Sequence, residues 1–344
     1  MKSCSRGLRG PFFRAGEDNV RNSRFFPAIA VVLTWMTLAS AQNPEDHDYS
    51  VSVNVELVQL SVSVLDKHGY PVQGLEKQHF AVYEDKVLQD ISLFKQEDIP
   101  LSVGLVVDMS SSMFDKLNSV RSAAMTFVRE SNPQDETGII TFSNFATLEQ
   151  DFTTNTKALS RALTGIAPLG NTALYDAVLL AARHLKDNGI QDKKVLIVIS
   201  DGQDNDSKYQ LKHVLEALKE SKIIVYSIGL LGPDSGTSNY SNMLEDDGKK
   251  ALKQLAEVTG GSAFFPSGVR EVERVCRRIA RDLRNQYTIG YKPSNEKLDG
   301  SWRKTLVRVN APKGFPSVKV RTKQGYYAPV ARDTTLASTG KKPH

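Results

Sequence analysis

The chain has 344 residues, 40% of them apolar and 24% charged, which is enough for two ordinary domains that need no staples. Its two cysteines, Cys4 and Cys276, exclude a disulfide framework. The formal net charge is +5, but the first 41 residues hold six Lys/Arg against Glu17 and Asp18, so the remainder is nearly neutral and gives no argument for nucleic-acid binding.

Lys2, Arg6, Arg9, Arg14, Arg21 and Arg24 precede an apolar segment, Phe25 to Ala41, that ends Ala39-Ser40-Ala41. This is the order of a secretory signal over residues 1–41, with cleavage before Gln42. The alternative is an uncleaved anchor at the short limit for spanning a bilayer. No later stretch is apolar for long enough to cross a membrane. The expected location is therefore outside the cytoplasm: periplasmic, cell-surface or secreted.

Residues 42–50 read as a polar linker. Residues 51–98 then show period-2 patterning in Val51, Val53, Val55, Val58, Leu60, Val62 and Val64, with further strands at Phe80–Tyr83 and Ile91–Phe94. Such alternation predicts antiparallel strands with one buried face.

From residue 99 to 284 the rhythm is strand–helix–strand. Leu101–Val107, Gly138–Phe142, Ala146–Phe152, Lys194–Ser200 and Ile223–Ile228 are strands, with Gly138–Phe142 and Ala146–Phe152 joined as an antiparallel edge pair. Between them, apolar stripes on Leu117–Val128, Leu159–Leu163, Leu174–Leu185 and Leu211–Leu218 mark helices. A long loop is expected over 230–248, a helix around Leu252–Ala256, a short strand at Ser262–Phe265 and a last helix over Val269–Leu283. The fold class is thus α/β, a doubly wound Rossmann-like sheet.

Residues 285–330 return to β pattern in Tyr287–Tyr291, Thr305–Val309, Val318–Val320 and Tyr326-Tyr327. Each flanking β segment is small for a module of its own. The preferred reading joins them in one β-sandwich with the α/β domain inserted, and the alternative is two separate β modules. Residues 331–344 read as a disordered polar tail.

The chemistry gathers where strands end. Asp108 and Asp201 each close a buried parallel strand, at the carboxyl edge where open α/β sheets bind ligands. Ser110 and Ser112 follow Asp108, and Thr172 starts a helix on the same rim. Two carboxylates and three hydroxyls are hard oxygen donors that suit Mg²⁺ or Mn²⁺ better than Zn²⁺. Two aspartates neutralise a divalent ion and leave positions to water or to an outside carboxylate. With no positioned general base, the site is poorly equipped for hydrolysis.

Asp108-x-Ser110-x-Ser112, Gly170-Asn-Thr172 and Ile199-Ser-Asp201-Gly202 together resemble the metal-ion-dependent adhesion site of von Willebrand factor type A domains. Ala-Leu-Tyr-Asp-Ala after Thr172 also fits, and the match covers roughly residues 99–284. The flanking strands resemble exported bacterial proteins of this family described as acidobacterial in type. The resemblance implies a six-stranded sheet and Mg²⁺ ligand roles for Asp108, Ser110, Ser112, Thr172 and Asp201, with Mn²⁺ or Ca²⁺ as alternatives. It also implies binding of a protein partner through an Asp or Glu carboxylate.

Other candidates have plainer readings. Asp204 and Asp206 are expected to cap the following helix, with a role around the ion or at a separate ion site as the alternative, and Asp176 is a first-turn acid. The loop 230–248 leaves the carboxyl end of a strand and is expected beside the site, either as a contributor to partner choice or as simple disorder. Arg270, Arg274, Arg277, Arg278, Arg281 and Arg284, with Glu271, Glu273 and Asp282, read as a solvated helix face with i,i+4 pairs Glu273–Arg277 and Arg278–Asp282. Cys276 reads as a buried thiol. No phosphate-binding glycine loop, dinucleotide fingerprint or nucleophile elbow is present, and the histidines lack metal-ligand spacing. Two functions remain: a metal-dependent adhesion module, or a structural component of a cell-envelope assembly whose metal only stabilises the fold.

Overall fold

The computed structural model describes residues 57–164, 167–231 and 239–331. The expected signal, the linker, Val51, Val53, Val55 and nearly all of the C-terminal tail lie outside these residues. In chain order the strands before the α/β region are β1 (Val58–Leu65), β2 (Phe80–Glu84), β3 (Val87–Gln89) and β4 (Ile91–Gln96). The α/β region comprises β5 (Leu101–Asp108), a 3₁₀ helix (Ser111–Lys116), α1 (Leu117–Glu130), β6 (Glu136–Phe142), β7 (Ala146–Thr153) and α2 (Thr156–Ala162). It continues with α3 (Leu174–Asn188), β8 (Lys193–Ser200), α4 (Leu211–Glu220), β9 (Ile223–Gly229), α5 (Asn239–Glu257), β10 (Ala263–Phe264) and α6 (Val269–Arg284). Then come β11 (Tyr287–Tyr291), β12 (Trp302–Val309), β13 (Lys319–Arg321) and β14 (Gly325–Tyr327).

The continuous apolar runs become the centre of a six-stranded sheet in the order β10-β9-β8-β5-β6-β7. Every residue of β5 is buried, because helices cover both faces. Leu101, Val103, Leu105 and Val107 pack with α1, α2 and α6, whereas Val106 packs with α3, α4 and α5. Only β7 runs antiparallel, as expected for an edge hairpin.

The two flanking segments build their sheets jointly. One sheet has the order β13-β1-β11-β4 and the other β14-β12-β2-β3, so strands from before and after the α/β region pair directly. The alternation in β1 puts Leu60, Val62 and Val64 into one core with Phe80, Val82, Tyr287, Ile289 and Val307. Phe80, Phe94 and Tyr287 form a ring cluster with centroids 5.0–5.7 Å apart. The alternative of two separate β modules fails for a physical reason: β1 and β4 of the first segment find their ladder partners only in the second, and apolar residues of both segments share one core.

Three local expectations change. α5 begins at Asn239, so the second half of the expected loop 230–248 is helix, and residues 232–238 lie outside the description. Asp282 is not on a solvated face. It is 4% exposed, accepts from Tyr226 Oη at 2.7 Å and pairs with Arg321 of β13, not with Arg278. Arg278 instead donates to Gly69 O at 3.1 Å and lies over the Phe264 ring. The local i,i+4 rule loses here because burial of a carboxylate demands a partner from the packed neighbour. Cys276 is buried as expected, with Sγ 3.3 Å from Ala123 O. Among the described residues no helix is long and apolar enough to cross a membrane.

Candidate functional site

The sheet register creates the site. Val107 of β5 lies opposite Ile199 of β8, so the next residues, Asp108 and Ser200, are neighbours. Two positions back, Val106 and Val198 both face the α3–α5 core, which puts Asp108 and Ser200 on that same side. Ser200 Oγ donates to Asp108 Oδ2 at 2.6 Å and accepts from Gly202 N–H at 2.9 Å. The other carboxylate oxygen, Oδ1, accepts from Ser110 N–H at 2.9 Å.

Four loops are tied together around this carboxylate. The chain after β5 turns so that the Ser110 and Ser112 hydroxyls stand 3.1 Å apart. Met109 N–H donates to Phe142 O, and Leu169 N–H donates to Met109 O. Ser111 donates to Gly170 O through both its N–H (3.1 Å) and its Oγ (3.0 Å). Thr172 N–H donates to Asn205 Oδ1 at 2.8 Å, and Asn205 N–H returns a bond to Thr172 O at 3.0 Å. Helix α3 starts two residues later than expected, so Thr172 belongs to the loop.

Asp201 follows β8 directly. Its Oδ1 accepts from Gln203 N–H at 3.2 Å and its Oδ2 from Lys116 Nζ at 3.2 Å. Gly202 adopts φ +85°, and a Cβ there would fall 2.4 Å from Gly248 O of α5. Only glycine permits both this turn and this approach.

Asp108, Ser110, Thr172 and Asp201 are all less than 5% exposed, while Ser112 opens to solvent. Burial pushes the Asp108 carboxyl up to about 6, the charge of Asp201 adds to the rise, and the bonds from Ser110 and Ser200 oppose it. Two carboxyls withdrawn from water side by side favour a cation between them and their hydroxyls. Among the described residues no group of three or more His, Cys, Asp and Glu could hold a metal ion. At this site a divalent ion would draw on hydroxyl oxygens as well as the two carboxylates, a donor set that fits Mg²⁺.

The acidic residues nearby serve the scaffold. Asp204 Oδ1 accepts from Tyr175 N–H at 3.2 Å and Ser207 Oγ at 2.5 Å, so it caps the preceding helix α3 rather than α4. Asp206 Oδ2 accepts from Asn144 Nδ2 at 2.8 Å. Asp176 accepts from Lys208 and Tyr209 N–H, fastening the loop after Asp201 to α3. His184 bonds Asp151 at 2.8 Å and stacks on Phe152, away from the site.

Sequence reasoning missed Ser200, Lys116, Asn205 and Gly248. Ser200 lies inside the motif Ile199-Ser-Asp201-Gly202, and its place at a strand end was a usable signal. The other three carry none, because their roles come from contacts across the fold. It also missed the rim: Phe114, Phe145 and Leu169 are 71%, 71% and 76% exposed on three of the loops just described.

Residues 102–275 match the family model of the von Willebrand factor type A domain. Solved structures with similarity include the von Willebrand factor type A protein from Catenulispora acidiphila (10% identity, 82% of this chain and 76% of that one, TM-score 0.46). Another is BatB from Bacteroides thetaiotaomicron (20% identity, 53% and 98%, TM-score 0.41). A third is the von Willebrand factor domain of the type V pili tip protein Mfa5 from Porphyromonas gingivalis (22% identity, TM-score 0.30). That match covers 31% of this chain, which spans only 39% of the Mfa5 chain.

Proposed function

The chain belongs to the von Willebrand factor type A domain family, and from that premise we propose that its carboxyl-edge site is an intact metal-ion-dependent adhesion site. Asp108, Ser110, Ser112, Thr172 and Asp201 hold Mg²⁺, with Mn²⁺ or Ca²⁺ able to substitute. The metal, when bound, supplies an open position for a carboxylate oxygen from outside the chain. The chain's own residues orient and shield that position. The protein is then an exported binding module, not an enzyme, that captures an Asp or Glu of a protein partner. The exported bacterial group named above is the setting we assign to it.

The observation that supports this reading is that the loops carrying Asp108, Ser110, Ser112 and Thr172 are tied together by hydrogen bonds around a buried carboxylate, with the charge of Asp201 near enough to raise its pKa. A second observation favours a protein ligand over a small one. Phe114, Phe145 and Leu169 are exposed on three of the loops that are hydrogen-bonded to one another at the site, a placement that suits a protein contact. They would exclude water from the edge of a carboxylate contact, which strengthens it.

The test is capture of envelope proteins by the immobilised chain in Mg²⁺, elution with EDTA, and repetition with Asp108→Asn and Thr172→Ala variants. Metal-dependent capture that both variants lose is the expected result. Capture that survives EDTA and both substitutions overturns the reading. Loss of metal binding that lowers the unfolding midpoint without changing capture would leave the metal a structural role only.

A further inference from the structure

We infer that Lys116 is an internal competitor for the cation site: its ammonium occupies Asp201 until a divalent ion displaces it, and so sets the affinity of the site. This rests on the divalent-cation reading above.

The two aspartates are compensated differently. Asp108 is held by neutral donors, Ser110 N–H and Ser200 Oγ. Asp201 is held by a full positive charge, with Lys116 Nζ 3.2 Å from Oδ2 and the two side chains 21% and 5% exposed. Among the described ion pairs, this is the one that reaches either aspartate of the site.

Lys116 is also placed by the site's own scaffold. It ends the 3₁₀ helix that Ser110 caps and that carries Ser112. Met113 of the same helix is fully buried in the core with α1, so the helix is pinned. The lysine therefore cannot drift away by backbone movement, yet its flexible stem and partial exposure let the ammonium swing out to water.

A divalent ion and an ammonium on one carboxylate repel each other, since both carry positive charge at short range. Metal entry then requires Lys116 to leave. In the absence of metal the ammonium prevents a second carboxylate from standing buried and unpaired beside Asp108. One residue thus stabilises the metal-free domain and weakens its hold on the ion.

The experiment is Mn²⁺ binding to the full chain, read by loss of the free-ion electron paramagnetic resonance signal, for wild type, Lys116→Met and Lys116→Gln. Both neutral variants are expected to bind Mn²⁺ about tenfold more tightly than wild type. Their metal-free unfolding midpoints are expected to fall, and saturating Mn²⁺ to raise them more than it raises wild type. Wild-type affinity in a folded neutral variant, or weaker binding, overturns the role of Lys116 and leaves the cation reading intact. If neither wild type nor the folded variants bind Mn²⁺, the cation reading itself falls, and this inference with it. Glutamine keeps a donor without the charge, so a folding failure of the methionine variant alone does not block the comparison.

Discussion

Ser200→Ala removes one oxygen atom, and the cost can be worked from two bonds. The hydroxyl donates to Asp108 Oδ2 at 2.6 Å and accepts from Gly202 N–H at 2.9 Å, at a position with no exposure. A hydrogen bond to a charged group contributes about 1.5–3 kcal/mol, and a buried N–H left unpaired costs about 1–3 kcal/mol. Because one atom makes both bonds and the turn relaxes in part, the combined loss is about 2–4 kcal/mol. That is a large fraction of the roughly 5–15 kcal/mol that holds a domain folded. Urea unfolding in EDTA, followed by far-ultraviolet circular dichroism, should show a lower midpoint with an unchanged slope. Mn²⁺ affinity should fall as well, since Asp108 loses the bond that orients its second oxygen. A stability change under about 0.5 kcal/mol, typical of an ordinary surface site, would refute the bridging role.

Arg321→Met strands the buried Asp282 carboxylate and is expected to cost about 3–5 kcal/mol, with Asp282→Asn in the same chain recovering part of it. Denaturant titration of the single and double variants decides, and an unaffected single variant would mean the pair does not couple β13 to α6. Burial pushes the Cys276 thiol up to about 12, so peptide mapping after treatment with a thiol-specific alkylator at pH 8 should find it unmodified in the folded chain and modified in guanidinium. Burial lowers Lys193 to about 8 from its usual 10.5, so the folded chain releases this proton before the unfolded one does. Its contribution to stability therefore rises with pH from about 8 to 10.5, and Lys193→Met should flatten the pH dependence of unfolding between pH 7.5 and 9.5. Replacing Phe114, Phe145 and Leu169 together with serine should abolish partner capture and leave Mn²⁺ affinity unchanged. A triple variant that still captures would remove the rim from the binding surface.

The sequence by itself determined the α/β rhythm and where its strands end. Continuous apolar runs such as Leu101–Val107 and Lys194–Ser200 can be satisfied only between two helical layers, and each run is stopped by an aspartate that the core rejects. Asp108 and Asp201 were legible for that reason, as residues that break a pattern at its edge, whereas the grouping of Ser110, Ser112 and Thr172 with them as ligands came from the resemblance. The shortness of each flanking β segment also argued for a shared sandwich, although patterning left two separate modules open. Tertiary structure alone decided what those residues touch. Periodicity reports which side of an element is buried, but not which strand lies beside it or in what register. The pairing of Val107 with Ile199 is what brings Ser200 onto Asp108. Likewise Asp282 had a local partner available four residues away in Arg278, and packing chose Arg321 from another strand. Lys116 shows the same rule at the site. Its charge is plain in the sequence, but only the pinned turn between β5 and α1 aims it at Asp201.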